Sequence, residues 1–174
     1  MSKQTVFIIG AGGMVGATAA QALAIKEVVH NIVLIDVAED LVHGQAMDIN
    51  HATAYTNGIH VRTGDYSEIR QDDIVVITCG IAQKPGQTRL ELLEVNAGII
   101  RDVVGQVMAQ GVSVYILMVA NPVDILTQVA LEASGLPKER VFGTGTSLDT
   151  ARLRVALANA LHVSQQTIEA YILG

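Results

Sequence analysis

Apolar residues along this chain fall into short continuous runs, separated by longer segments of helical period. Thr5–Ile9, Asn31–Ile35, Ile59–Thr63, Asp73–Thr78, Ser113–Val119 and Arg140–Gly143 read as strands. A run that is apolar throughout, instead of alternating, marks a strand buried on both faces. Asp73–Thr78 shows this most clearly and Ile59–Thr63 least. Between the runs lie predicted helices: Met14–Lys26, Glu39–Thr53 with one polar face, Leu90–Ala109 ended by Gly111, Val123–Ala133 ended by Gly135, and Ser147–Leu161. Gly80–Thr88 is a loop, and Ile168–Leu173 begins another extended run.

Strand and helix alternate over six strands, which predicts an α/β fold with a doubly wound parallel sheet of the Rossmann type. The expected strand order is 3-2-1-4-5-6, with right-handed crossovers. Ligands of such sheets bind beyond the carboxyl ends of the strands. There the first strand runs into Gly10-Ala11-Gly12-Gly13-Met14-Val15-Gly16, and the second ends at Asp36. Glycines let a backbone approach a pyrophosphate, and the helix that follows offers free N–H groups and a positive dipole end. An acid closing the second strand takes ribose hydroxyls and repels a 2′-phosphate, which favours NAD over NADP. Val37 follows it, where an arginine could have held that phosphate. A strict G-x-G-x-x-G pattern would place glycine at Val15. The turn instead reads as Gly10-x-x-Gly13-x-x-Gly16, with Gly12 in an ordinary turn position, and which glycine faces the phosphates stays open. The candidate cofactor set is Gly10, Gly12, Gly13, Met14, Val15, Gly16 and Asp36, with Thr78, Gly80, Val119 and Asn121 at the ends of strands four and five.

Composition narrows the function classes. The 174 residues suffice for one domain and a little more, and half are hydrophobic. Net charge is −6 with no basic cluster, so nucleic acid is not an expected partner. The single cysteine, Cys79, excludes an internal disulfide, suits a reducing cytoplasm, and reads as a packing residue at a strand end. No apolar run approaches the ~20 residues of a membrane span. The first strand starts directly after Met1-Ser2-Lys3-Gln4, leaving no room for a signal peptide. No metal site is expected.

Polar residues with chemical potential follow strands four to six: Gln83 to Arg89, Asn121-Pro122, Thr144 and Thr146, and then Asp149 and Arg152, three apart on one helix face. Taken singly, these also read as a loop charge, a helix cap and a solvated pair. Together, Gln83-Lys84-Pro85-Gly86-Gln87-Thr88-Arg89, Ala120-Asn121-Pro122-Val123-Asp124 and Gly143-Thr144-Gly145-Thr146-Ser147-Leu148-Asp149-Thr150-Ala151-Arg152 resemble the lactate and malate dehydrogenase family. Ala46-Met47-Asp48-Ile49-Asn50-His51 adds to the resemblance, which spans the chain and is closest to the L-lactate type.

The resemblance implies roles. Arg152 would hold the substrate carboxylate with its bidentate fork. Arg89 would polarise the reacting carbonyl from a closing loop. Asn121 would hydrogen-bond near the carbonyl and nicotinamide, and Asp149 would orient a catalytic histidine. Gln83 would face the substrate side chain. Malate-type relatives carry arginine there, so a neutral glutamine favours pyruvate or lactate over a dicarboxylate. The implied function is hydride transfer between NAD and a small L-2-hydroxy acid. Rival readings are a malate-type enzyme, a stand-alone NAD-binding module, and a split enzyme completed by a second chain.

Two departures from the family pattern stand out. Arg154 matches the arginine of a fructose-bisphosphate site, but Glu169 stands where activated relatives carry histidine, so no such activation is expected. The family's catalytic histidine lies in a Gly-Glu-His-Gly motif whose first glycine aligns with Gly174. His30, His43, His51, His60 and His162 all fall elsewhere, and none follows strands four to six. The expected division is residues 1–162 as NAD-binding domain and 163–174 as the first strand of a substrate domain, with little or no turnover from these residues alone. Self-association through the Glu39–Thr53 helix, or through apolar surface left exposed by a missing domain, is also expected.

Overall fold

The computed structural model describes residues 4–82, 86 and 88–173. Its strands are β1 (Thr5–Ile9), β2 (Asn31–Ile35), β3 (His60–Thr63), β4 (Ile74–Ile77), β5 (Tyr115–Met118) and β6 (Val141–Gly143). Its helices are α1 (Met14–Lys26), α2 (Glu39–Ala52), α3 (Arg89–Met108), α4 (Val123–Ser134) and α5 (Ser147–Leu161). The chain divides into two compact units, residues 1–143 and 144–174.

The first unit holds all six strands, in the order β3-β2-β1-β4-β5-β6, as the alternation of elements predicts. Each neighbouring pair is parallel; Ile8 of β1, for example, sits beside Leu34 of β2 and Val76 of β4. Because strand side chains alternate between faces, an apolar run feeds two cores at once. Val6 and Ile8 join Ile32, Leu34 and Val76 under α1 and α2, which contribute Ala20, Ala24, Val42, Ala46 and Ile49. Phe7 and Ile9 join Val33, Ile35, Val75, Ile77, Ile116 and Met118 under α3 and α4. The continuous runs are thus explained by a sheet covered on both sides.

Most boundaries fall within two residues of expectation. α2 ends one residue early and tightens into a 3₁₀ turn over Thr53–Tyr55. Gly111 and Gly135 follow α3 and α4 at φ of 69° and 61°, the left-handed conformation their sequence positions suggested.

In the second unit, α5 spans the predicted residues, but the strand expected over Ile168–Leu173 does not form. An extended segment needs a neighbouring strand to pair with. Here the backbone meets side chains of its own unit instead. The Ile172 carbonyl accepts from Thr146 Oγ1 at 2.6 Å, and its N–H donates to Thr150 Oγ1 at 3.0 Å. Arg154 Nε donates to the Ala170 carbonyl at 2.9 Å. Sheet pairing ends at Gly143, and α5 groups with the residues after it.

Candidate functional site

Where β1 ends, the chain must turn between two neighbouring strands before α1 can start. Gly10 takes φ of 89°, and a Cβ built there would lie 2.5 Å from the Cys79 nitrogen. Neither the conformation nor the space admits a side chain. Its N–H donates to the Ile35 carbonyl at 2.9 Å, and Thr78 Oγ1 donates to the carbonyls of Ile9 and Gly10 at 3.0 and 3.1 Å. Gly16 seats α1: a Cβ there would be 2.6 Å from the Gly10 oxygen and 2.7 Å from both Ala11 Cα and Thr78 Oγ1. Gly13 is the N-cap of α1 and has no side chain to cap it, so the first-turn N–H groups are left for another partner.

Gly12 lies within the turn and also holds Asp36. Its N–H donates to Asp36 Oδ2 at 2.9 Å, and a Cβ on it would stand 3.0 Å from Asp36 Cγ. The Ala38 N–H donates to Asp36 Oδ1 at 3.0 Å. Each carboxylate oxygen therefore spends one acceptor site on the backbone and keeps one free.

A cleft of about 640 Å³ opens over this turn, at the carboxyl ends of β1, β2 and β4. It brings together Gly10, Gly12, Gly13, Asp36, Thr78 and Gly80. Its walls include Ile35, Val37, Leu41, Tyr66, Ile81 and Ile99, with Asp102 and Gln106 of α3 also lining it. The cleft fits an elongated ligand with an anionic middle and a sugar diol. Bare glycine backbone suits an anion, and a fixed carboxylate suits a diol.

Other expected residues stand apart from the cleft lining. Gly16 is buried beneath the turn, Met14 and Val15 are exposed on α1, and Val119 packs against the core under α1 and α2. Asn121 is exposed after β5, joined to Pro122 by a cis peptide bond. Arg89 opens α3, and Gln83 lies outside the described residues. In the second unit, Arg152 Nη1 and Asp149 Oδ1 form an exposed ion pair at 3.0 Å. Arg154 lies over the Tyr171 ring at 4.5 Å while bonding Ala170.

Tyr66, Ile81, Asp102 and Gln106 went unnoticed in the sequence. Tyr66 follows the weakest strand, and the two polar residues sit within a helix whose period only says that one side is apolar. Burial raises the Tyr66 hydroxyl to about 12, with Cys79 and Asp36 adding to the shift. Burial likewise lifts the Cys79 thiol to about 11, so it is a protonated packing group beside the turn, as its position suggested. Among the described residues no cluster of metal-ligating side chains occurs, and no helix is long and apolar enough to cross a membrane.

Comparison with known proteins agrees with this geometry. Residues 4–143 match the family model described as lactate/malate dehydrogenase, NAD binding domain. L-lactate dehydrogenase of Kosmotoga olearia is 48% identical over 170 residues, covering 97% of this chain and 52% of that protein. The ligand-bound crystal structure of minor L-lactate dehydrogenase from Enterococcus mundtii is 41% identical, with TM-score 0.96 over 100% of this chain and 55% of its own. Lactate dehydrogenase from Eimeria maxima, solved with NADH and oxamate, is 33% identical with TM-score 0.87, over 98% of this chain and 52% of its own. The chain thus spans about half the length of the relatives it matches. It belongs to the lactate/malate dehydrogenase family and carries that family's NAD-binding domain.

Proposed function

We propose that these residues supply the cofactor site and part of the substrate site of an NAD-dependent L-2-hydroxy acid dehydrogenase of the lactate/pyruvate type. The observation that carries the cofactor assignment is the Gly12–Asp36 pairing, a carboxylate fixed beside bare glycine backbone with an acceptor site free on each oxygen. Asp36 would take the ribose hydroxyls. Gly12, Gly13 and the first-turn amides of Met14, Val15 and Gly16 would face the pyrophosphate. Gly10, Thr78 and Gly80 would hold the turn and the cleft wall in place, and Val119 and Asn121 would continue the site past β5. When bound, NAD supplies the hydride acceptor or donor. Arg152 would bind the substrate carboxylate, Arg89 would steady charge on the reacting oxygen, and Asn121 would hydrogen-bond beside it. Gln83, being neutral, supports a monocarboxylate over malate.

Asp149 would orient a proton-carrying histidine. The five histidines here do not meet that need. His30 precedes β2, His60 is the first residue of β3, His43 and His51 ride on α2, and His162 closes α5. These 174 residues should therefore bind cofactor without turning over substrate, since general acid–base help alone is worth about 10²–10⁴-fold. α2, with Leu41 and Met47 exposed, is proposed as a surface for self-association, and a reducing compartment such as the cytoplasm as the setting.

Calorimetric titration with NADH and then NADPH, followed by a pyruvate reduction assay on the same sample, tests this reading. NADH is expected to bind at least about tenfold more tightly than NADPH, the scale of one charge-assisted hydrogen bond. Pyruvate is expected to stay unreduced. Absence of NADH binding would remove the central assignment, and rapid turnover would remove the argument from the histidines.

A further inference from the structure

Among the described residues, only Asp73 and Asn96 are buried polar side chains. Asp73 is accounted for by the fold, since its carboxylate accepts the N–H groups of Thr5 and Arg70 at 3.0 and 2.8 Å. Asn96 sits on α3 among apolar neighbours of the core, Ala97, Ile100 and Val103, and is 3% exposed. A buried amide in such a place is costly unless it is hydrogen-bonded.

Its carboxamide grips a single residue from both sides. Oδ1 accepts the Ile81 N–H at 2.9 Å, and Nδ2 donates to the Ile81 carbonyl at 3.4 Å. β4 ends at Ile77, so beyond Thr78 the backbone has left the sheet and its ladder partners. Asn96 replaces that ladder at Ile81. Gly80 is shaped to admit it: a Cβ there would lie 3.3 Å from Asn96 Oδ1. Gly80 and Ile81 both line the cleft.

We propose that Asn96 is a positioning residue of the cofactor cleft, holding Gly80–Ile81 as its wall and so setting the affinity for the dinucleotide. This rests on the cofactor reading above. In the 174-residue chain, Asn96→Leu keeps the volume and removes both hydrogen bonds. Its NADH dissociation constant is expected to rise about tenfold. Asn96→Asp, which keeps the acceptor for the Ile81 N–H, should fall between Asn96→Leu and wild type. Val107→Ala, about 16 Å further along the helix, opens a core cavity. It should lower Tm while leaving NADH affinity within about twofold.

NADH binding by Asn96→Leu as tight as wild type overturns the proposal. So does an equal loss in Val107→Ala, because affinity would then follow stability alone. A wild type that binds no NADH defeats the functional reading itself, and this proposal with it. One measurement needs no variant to fold. The Ile81 amide of the wild type should exchange its hydrogen at least about a hundredfold more slowly than in an unfolded chain; exchange at the unfolded rate overturns the proposal.

Discussion

In the proposed cofactor site, Asp36 would serve the ligand and the glycines around it the fold, and substitutions should separate the two. Asp36→Ser removes the charge but not the fold. Its NADH affinity should drop by about tenfold or more, and its preference over NADPH should shrink, both read by calorimetry. Gly12→Ala pushes a methyl to 3.0 Å from Asp36 Cγ and should also lose affinity in a folded chain. Gly10→Ala meets Cys79 backbone at a positive φ and should instead fail to fold properly, seen as a lowered Tm. The residues beside the turn make a second prediction, in pH. Burial raises Cys79 from 9.0 to about 11 and Tyr66 from 10.0 to about 12. Both are neutral acids when folded. The stability they lend is therefore complete below their ordinary pKa values and is lost as pH rises through the folded ones. Denaturant midpoints should fall between roughly pH 9 and pH 12, and Cys79→Ala with Tyr66→Phe should flatten that fall.

At the scale of elements, local pattern and neighbour effects separate cleanly. The buried strands and the ends of α1, β1, β2 and α5 were legible because each depends on its own residues: apolar runs, glycine stops, turn chemistry. The sheet order was legible because right-handed crossovers leave few alternatives. Whether Ile168–Leu173 pairs as a strand is not legible in its own composition, because a strand is a relation between segments. The link from Gly12 to Asp36 was not legible for a similar reason, since its hydrogen bond reaches across the turn. Asn96 left no signal, because a helical asparagine in an apolar stretch looks the same whether it faces solvent or a peptide. The seating of α1 carries its own test. Gly16→Ala forces a Cβ to within 2.7 Å of Ala11 and Thr78, so the helix must lift off the turn. Overpacking of this kind costs about 1–3 kcal/mol, to be read as a lower urea midpoint with an unchanged m-value. An unchanged midpoint would mean that the turn yields where the helix was expected to.

For the molecule as a whole, the division at residue 143 separates the proposed cofactor residues from Asp149 and Arg152. The glycine turn, Asp36, Tyr66, Gly80, Ile81 and α3 all lie in the first unit, along with every strand. The second unit carries Asp149 and Arg152, whose exposed ion pair joins two side chains of one helix. Cofactor affinity should then belong to the first unit and be indifferent to the second. In the 174-residue chain, Asp149→Asn and Arg152→Lys should bind NADH within about twofold of wild type, as expected for sites that share no partner. NADH at about 100 times its dissociation constant should stabilise both variants and wild type alike, by about 2.7 kcal/mol. Asp36→Ser should lose most of that gain under the same conditions. The same Asp149 and Arg152 substitutions, placed in an enzyme that has its catalytic histidine, should lower kcat/KM for pyruvate. Arg152→Lys should raise KM, because a lysine offers the carboxylate a point charge in place of a planar fork. A loss of NADH affinity in either variant would show that the cofactor site draws on residues beyond 143. The boundary would then mark how the chain packs and not how its function is shared.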